Sequence, residues 1–493
     1  MQPHWFIVGL EIFTGLFLAC IAFGVIAVIY MYIVDKVQTK QAIRHNYPVI
    51  GRFRYLFEKQ GEFFRQYFFA QDREELPFNR AERSWIYRAA KNIDRTISFG
   101  STQTHDKTGT VMFLNAAFPK YDSDEHTDNI LTIGAECKSP YQTSTICHIS
   151  AMSFGALSRP AVTALSHGAA QAGCWLNTGE GGLSEHHLKG HCDLVFQIGT
   201  AKYGVRDENG KLDDKKLTAI AAHDNVKMFE IKLSQGAKPG KGGILPGVKV
   251  TKEIADIRGI PVGQDSISPN GHAEFNSVAD IIDMICHVRN VTGKPTGIKA
   301  VLGDEQWLND LCAEINRRGI EHAPDFFTLD SAEGGTGAAP QALMDHVGLP
   351  IKESLPIVIN LFRQKGLKQR IKVIASGKMV LPSQVAWALA TGADFIASAR
   401  GNMFALGCIQ ALQCNKDTCP TGITTHNKHL QQGLDPHNKS ARVANYNRSL
   451  HHDLKIIAHS CGVSEPRQLT RQHARIVTES GISISLDKFY QQY

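Results

Sequence analysis

The stretch that decides the fold is Lys227-Met228-Phe229-Glu230-Ile231-Lys232-Leu233-Ser234-Gln235-Gly236-Ala237-Lys238-Pro239-Gly240. A short apolar run, strand-like in length and content, breaks into a polar, glycine-rich loop. The same pattern recurs on both sides. Further candidate strands are Thr145–Ser150, Cys174–Asn177, Leu194–Ile198, Thr296–Val301, Asp325–Asp330, Ile371–Ala375 and Asp394–Ala399. Several end in comparable loops: Ser150-Ala151-Met152-Ser153-Phe154-Gly155, Asn177-Thr178-Gly179-Glu180-Gly181-Gly182, Asp330-Ser331-Ala332-Glu333-Gly334-Gly335-Thr336-Gly337, Ala375-Ser376-Gly377-Lys378 and Ala399-Arg400-Gly401. Helical stretches separate the runs. Strand-then-helix alternation predicts a parallel α/β architecture, and a strand count near eight favours a (β/α)8 TIM barrel over an open sheet.

In such a barrel the chemistry sits at the C-terminal strand ends, where these loops fall. Glycines let backbone N–H groups approach an anion closely, and a phosphate often docks after strands seven and eight. Ser376, Gly377, Arg400 and Gly401 occupy that place. A single glycine loop is weak evidence because turns need glycine anyway, but several at consecutive strand ends are a stronger signal. Lys232 and Lys299 each lie inside an apolar run, where a buried ammonium needs an anion. One reading is an internal ion pair with a carboxylate such as Glu230 or Asp330. The other places one lysine at the pyrimidine edge of a flavin, stabilising charge that reduction leaves near N1.

Cys408-x5-Cys414-x4-Cys419-Pro420 has the short spacing of a thiolate cluster. Three cysteines followed by proline suit a 3Fe–4S cluster, or zinc with a fourth ligand elsewhere. The plain alternative is three unrelated buried thiols. His186-His187-x3-His191-Cys192 is expected to be a loop of solvated histidines rather than a metal site. No Gly-x-Gly-x-x-Gly stands between a strand and a helix with an acidic residue following, so a pyridine-nucleotide site is not expected here.

Composition sets the remaining limits. The 493 residues are 43% hydrophobic and 20% charged with a net charge of +6 and scattered basic residues, which sets nucleic acid aside as a partner. Eleven cysteines, mostly single, suit a reducing compartment better than a disulfide framework. Ile12 to Val34 are 23 residues without a charge, enough to cross a ~30 Å hydrocarbon core. Trp5, Tyr30 and Tyr32 flank the stretch, no Lys or Arg precedes it, and Lys36, Lys40, Arg44, Arg52 and Arg54 follow it. A single-pass membrane helix is expected, with the catalytic domain in the cytoplasm. A signal peptide would need a basic start and a small-residue cleavage site, and a core helix would be shorter. The expected organisation is an anchor over 1–35, an arm of amphipathic helices over 36–110 packing on a larger body, a barrel over 111–460 and a tail over 461–493.

Ala151-Met152-Ser153-Phe154-Gly155-Ala156-Leu157-Ser158, Asn177-Thr178-Gly179-Glu180-Gly181-Gly182, Gln235-Gly236-Ala237-Lys238-Pro239-Gly240, Gly334-Gly335-Thr336-Gly337-Ala338 and Gly407-Cys408…Cys414…Cys419-Pro420 occur in an order that resembles the FMN-binding synthase domain of glutamate synthases. The similarity runs from about residue 80 to 450. It is closer still to standalone, membrane-anchored members of that family. The resemblance implies FMN across the barrel mouth and a 3Fe–4S cluster on Cys408, Cys414 and Cys419. Met152, Ser153 and Gln197 would contact the isoalloxazine, and Lys299 would sit near N1. Gly335, Thr336, Gly337, Ser376, Gly377, Arg400 and Gly401 would complete the cofactor site. Glu180 and Lys232 would flank the reacting centre, with Gln235 and Lys238 on the substrate. The implied reaction is reductive amination of 2-oxoglutarate, or a related 2-oxo acid, by ammonia or an amine. Electrons would come from ferredoxin, a separate pyridine-nucleotide subunit or the membrane. The alternative is a membrane-bound electron-transfer or assembly flavoprotein that aminates nothing. There are departures from the family pattern: Lys241 and Ile244 stand where Glu and Gln are usual, Ser268-Pro269-Asn270-Gly271-His272 replaces Pro-Pro-His-His, and Lys202 replaces an arginine. Neither an amidotransferase domain nor a glycine-rich β-helix is recognisable in the chain.

Overall fold

The computed structural model describes residues 4–121 and 129–491, and the chain divides into two compact units, Met1–Ala81 and Glu82–Tyr493. In the first, α1 (His4–Val37) is 34 residues long, with its apolar span wholly unburied, and it is long and apolar enough to cross a membrane. It is followed by α2 (Ala42–Asn46) and α3 (Gly51–Phe64), which continues through a π turn, Arg65–Phe69. Asp35 ties these pieces together. Its buried carboxylate accepts from Arg44 Nε at 2.8 Å, Arg52 Nε at 2.8 Å and the Val49 N–H at 3.0 Å. A buried carboxylate with three donors, two of them cationic, is fixed in place.

The second unit is built on a closed barrel of eight parallel strands. In chain order these are β1 (Cys147–Ile149), β2 (Leu176–Asn177), β3 (Leu194–Ile198), β4 (Val226–Lys232), β5 (Thr296–Val301), β6 (Phe326–Asp330), β7 (Lys372–Ser376) and β8 (Phe395–Ser398). Each of the eight expected strands is present, with ends that differ by a residue or two at most positions. Pairing is sequential, and β8 closes against β1.

Alternation along each strand sorts the interior by height. Val195, Met228, Phe326, Ile374 and Phe395, near the strand starts, form an apolar floor with Trp175. A hairpin of Leu131–Ile133 and Tyr141–Thr143 adds Ile133 and Tyr141 to that floor. Two residues up β4 and β6 the inward side chains are Glu230 and Thr328, which are hydrogen-bonded to each other at 2.6 Å. Two further up are Lys232 and Asp330. The barrel is therefore sealed by hydrocarbon at one end and becomes progressively charged toward the other.

The expected helical arm proves shorter than 36–110. Helix α4 (Arg80–Ala90) buries Ile86, Ala89 and Ala90, sets Trp85 edge-on to Tyr446, and ends there; residues 91–110 are turns and bends. By contrast, the aromatic side chains of α3 are exposed rather than packed. At the far end of the chain, Ala474–Val477 pairs with Val111–Phe113 and with Ser483–Ser485 in a small antiparallel sheet. Helix α5 (Arg159–Ala172) packs closely on the long helix Pro436–Ser460, because Gly168 leaves no side chain where a Cβ would lie 2.6 Å from that of Val443.

Candidate active site

The charged end of the barrel gathers most of the residues singled out from sequence. Lys232 Nζ, at the top of β4, donates to Glu180 Oε2 at 2.7 Å and to Gln235 Oε1 at 2.7 Å. Burial drives the Glu180 carboxyl up, but Lys232, Lys238 and Arg258 outweigh it and hold the group below the usual carboxylate range. Lys238 is buried beside them, donates to the Ala338 carbonyl at 3.2 Å, and is pushed down to about 8 by burial. The loop after β4 lies hard against Glu180, since a Cβ on Gly243 would fall 2.1 Å from its Oε1. Ile244 is the next residue and is partly exposed.

Below that group lies a polar middle layer. Glu230 accepts from Asn177 Nδ2 at 2.8 Å, Gln197 Nε2 at 2.6 Å and Thr328 Oγ1 at 2.6 Å. The amide nitrogen of Gln197 is thus committed to the barrel interior. Lys299 pairs with Asp330 at 3.2 Å, one of the two carboxylates named for it above. Burial lowers its affinity for a proton, but Asp330 and Glu230 reverse the effect and hold it above the ordinary lysine value. Asp330 also accepts the Gly236 N–H at 2.9 Å, which locks the Lys232–Lys238 loop to β6.

Beside this layer is a small cavity of about 40 Å³ lined by Ser150, Lys299, Gly335, Ser376, Gly377 and Arg400, among others. Its wall is backbone by necessity. A Cβ on Gly335 would meet Arg400 Cδ at 2.9 Å, and one on Gly377, whose φ is +112°, would meet Ser331 Cβ at 2.4 Å. Arg400 donates to the Glu333 carbonyl at 2.6 Å, and burial brings it down to about 10. Thr336 lies at the rim, accepting from Gln235 Nε2 at 3.3 Å. Met152 and Ser153 pack on the neighbouring loop, where a Cβ on Gly179 would sit 2.6 Å from the Ser153 nitrogen. Gly401 faces away from this cavity: a Cβ there would meet the Tyr446 hydroxyl at 2.2 Å. Gly337 has open space around it. Backbone amides, hydroxyls, a guanidinium and an ammonium make a donor set that fits a phosphorylated, anionic cofactor.

Cys408, Cys414 and Cys419 sit in the loop after the helix Arg400–Leu406 that follows β8, close enough for the thiols to act on one another electrostatically. Burial raises the Cys408 thiol to about 12 and also raises Cys414. At Cys419 burial is outweighed by hydrogen bonds from Thr421 and Thr424, so this thiol ionises more easily than usual. Lys249 went unremarked in the sequence. It is almost fully buried and donates to the carbonyls of Ala156 at 2.9 Å, Thr424 at 3.0 Å and Cys414 at 3.3 Å. It thereby joins the loop after β1 to the cysteine loop, and it feels the charge of Cys414 and Cys419. Arg258 was also missed; it is buried, donates to the Phe154 carbonyl at 3.1 Å and lies 5.0 Å above the Tyr203 ring.

One expectation needs correcting. His186 and His187 are buried, on a one-turn helix Glu185–Leu188, rather than solvated in a loop. The Nε2 of His186 is paired with Glu253 Oε1 at 2.8 Å, and His187 Nδ1 accepts from the Ser184 N–H at 3.1 Å. Glu185, His186 and Glu253 are the one group among the described residues with three ligand atoms within 4.8 Å of one another. Lys189 and Arg159 already neutralise them, which leaves little negative charge for a cation.

The fold and these strand ends define a class, that of closed eight-stranded parallel barrels with a charged, glycine-walled mouth. Residues 95–464 match the family described as the conserved region in glutamate synthase. The glutamate synthase large subunit-like protein YerD of Bacillus subtilis is 40% identical over 512 aligned positions, which cover 96% of this chain and 97% of that one. An archaeal-type glutamate synthase [NADPH] of Thermotoga maritima is 31% identical over 70% of this chain, which spans 65% of that relative's length. A solved structure of an oxidised active mutant of (S)-mandelate dehydrogenase aligns over 74% of this chain and 87% of its own, at 14% identity and a TM-score of 0.46. The chain belongs to the glutamate synthase conserved-region family.

Proposed function

We propose that the protein is an FMN-dependent oxidoreductase of glutamate synthase type, which reductively aminates 2-oxoglutarate or a related 2-oxo acid with ammonia or an amine. The observation that carries this reading is the convergence of Glu180, Lys232, Lys238 and Lys299 on one barrel end beside a glycine-walled cavity. Bound FMN would supply the hydride, and a 3Fe–4S cluster on Cys408, Cys414 and Cys419 would supply electrons to it.

The chain's own groups divide the remaining work. Gly335, Gly377, Ser376 and Arg400 would hold the cofactor's phosphate, and Lys299 would face its pyrimidine edge. Lys238 and Lys232 present ammonium groups to the carboxylates of a dicarboxylic 2-oxo acid. Glu180 is held ionised by Lys232 and is placed to move a proton at its Oε2. Gln235, fixed by Lys232 and Thr336, would orient the substrate. Lys299 and Asp330 keep water-excluding, charge-balanced walls beneath. The apolar α1 would anchor the chain in a membrane with the barrel on the cytoplasmic side. The electron donor would be ferredoxin, a separate pyridine-nucleotide subunit or the membrane itself.

The second reading, a flavoprotein that transfers electrons without amination, is favoured by Ile244, an apolar residue next to Gly243 in the loop that abuts Glu180, where a hydrogen-bonding side chain is usual. Visible spectra of the detergent-purified protein, oxidised and dithionite-reduced, followed by a glutamate assay with 2-oxoglutarate and ammonium, test both. Flavin bands, a bleachable iron–sulfur shoulder and glutamate support the first reading. Flavin and cluster without glutamate support the second, and a colourless protein overturns the proposal.

A further inference from the structure

Helix α3 and its π continuation, Gly51–Phe69, carry an apolar stripe in two blocks, separated by Gln60 and Gly61. Phe53, Leu56, Phe57, Phe64 and Phe68 recur at helical spacing on one face, and Phe57 and Phe68 are 62% and 68% exposed. Arg54, Glu58, Glu62 and Arg65 fall on the other face. The rings pack on one another within each block, Phe53 with Phe57 at 6.3 Å and Phe64 with Phe68 at 5.6 Å, so the face presents two aromatic pairs in line. An exposed apolar face of this kind is uncommon on a soluble surface and marks something that covers it.

The geometry points to a lipid bilayer surface as that cover, with Gly51–Phe69 lying in the plane of the headgroups. This inference rests on the reading of α1 as a membrane-spanning helix and goes beyond it, because a spanning helix needs no second contact with lipid. Three observations favour lipid. First, the stripe is continuous with the apolar helix: Asp35, in the last turn of α1, is clamped by Arg44 and by Arg52 in the first turn of α3. The start of α3 is therefore held at the end of α1, and a bilayer that receives α1 brings its interface to the stripe. Second, residues 35–69 contain seven Lys and Arg against three Asp and Glu, a balance suited to anionic headgroups. Third, the stripe is four phenylalanines and a leucine, residue types that an interfacial helix turns toward the acyl boundary.

The clamp itself gives the arrangement a purpose. A spanning helix alone leaves the following chain free to swivel, whereas a second, in-plane helix joined to it by a buried ion pair fixes the angle at which the chain leaves the membrane. Asp35, with three donors and no exposure, is the hinge pin.

The test uses the full chain in vesicles of phosphatidylcholine and phosphatidylglycerol, with an environment-sensitive fluorophore on single thiols. Phe57→Cys reports the stripe, Glu62→Cys the opposite face, and the native Cys20, exposed on α1, the spanning helix. Each signal is read as the difference from the chain lacking that thiol. The expected result is several-fold stronger quenching of position 57 by shallow doxyl lipid than by aqueous iodide, the reverse at position 62, and deep-doxyl quenching at Cys20. Equal iodide quenching at 57 and 62 with Cys20 deep overturns the in-plane helix and leaves the spanning helix standing. Protection of 57 from iodide without doxyl quenching means that a second copy or another protein covers the stripe, and also overturns it. Iodide access at Cys20 removes the spanning helix and this inference together.

Discussion

Glu230 shows how far burial can be carried when both carboxyl oxygens accept hydrogen bonds. It sits inside the barrel among Asn177, Gln197 and Thr328, with Lys299 near enough to share its charge. The same logic holds Glu180 ionised under Lys232, and this gives a direct prediction. Glu180→Gln keeps the shape, removes the proton carrier, and is expected to lower kcat by roughly 10²–10⁴-fold with flavin content unchanged. An unchanged kcat would remove Glu180 from the chemistry. The buried histidines predict a pH dependence. Burial lowers His187 to about 3, far below its value in an unfolded chain. Stability from this group is therefore complete above about pH 6.5 and is lost as pH falls toward the folded value, at about 1.4 kcal/mol per pH unit. Denaturation curves at about pH 7 and about pH 5 should differ by about 2 kcal/mol from this group alone, and a flat profile would contradict it. Lys232 and Lys299 were legible in the sequence because a cation inside an apolar run demands an explanation. Lys249 and Arg258 were not: they flank an ordinary amphipathic helix, and the carbonyls they satisfy come from the loop after β1 and, for Lys249, also the cysteine loop.

At the scale of elements, the strands were the most readable part of the chain. Val226–Lys232 and Phe326–Asp330 alternate from apolar to polar to charged, and that single gradient gives both the barrel interior and its working end. What the sequence did not disclose is the hairpin of Leu131–Ile133 and Tyr141–Thr143 beneath the floor, because three-residue strands carry too little periodicity to be seen. The one-turn helix that buries His186 and His187 was hidden for the same reason. Loops are legible when glycine marks a close approach. Gly243 has no room for a methyl group beside Glu180. Gly243→Ala is expected to displace the Lys238–Leu245 loop and reduce kcat/KM by an order of magnitude or more, while the melting temperature moves by only a few degrees. A large fall in melting temperature with activity per folded molecule retained would show that the loop supports the fold rather than the site.

For the whole molecule, the proposed anchor makes a prediction separate from any chemistry. Membranes containing the protein, washed with alkaline carbonate, should retain it and release it only to detergent; release into the carbonate wash would show that α1 does not span. Family membership was readable over the barrel, where motifs are long, while the division after Ala81 left no compositional trace, because Arg80 and Ala81 lie inside a continuous helix. The small sheet joining Val111–Phe113 to Ala474–Val477 has a consequence for how the molecule is made. Its first strand leaves the ribosome about 360 residues before its partner, a delay of roughly 20 to 70 s at ordinary rates of synthesis. Throughout that interval α1 is already outside the exit tunnel while Val111–Phe113 lacks the strand it pairs with. With α1 as the proposed anchor, the address is delivered well before the chain is complete, and any chaperone that guards this chain works beside the membrane.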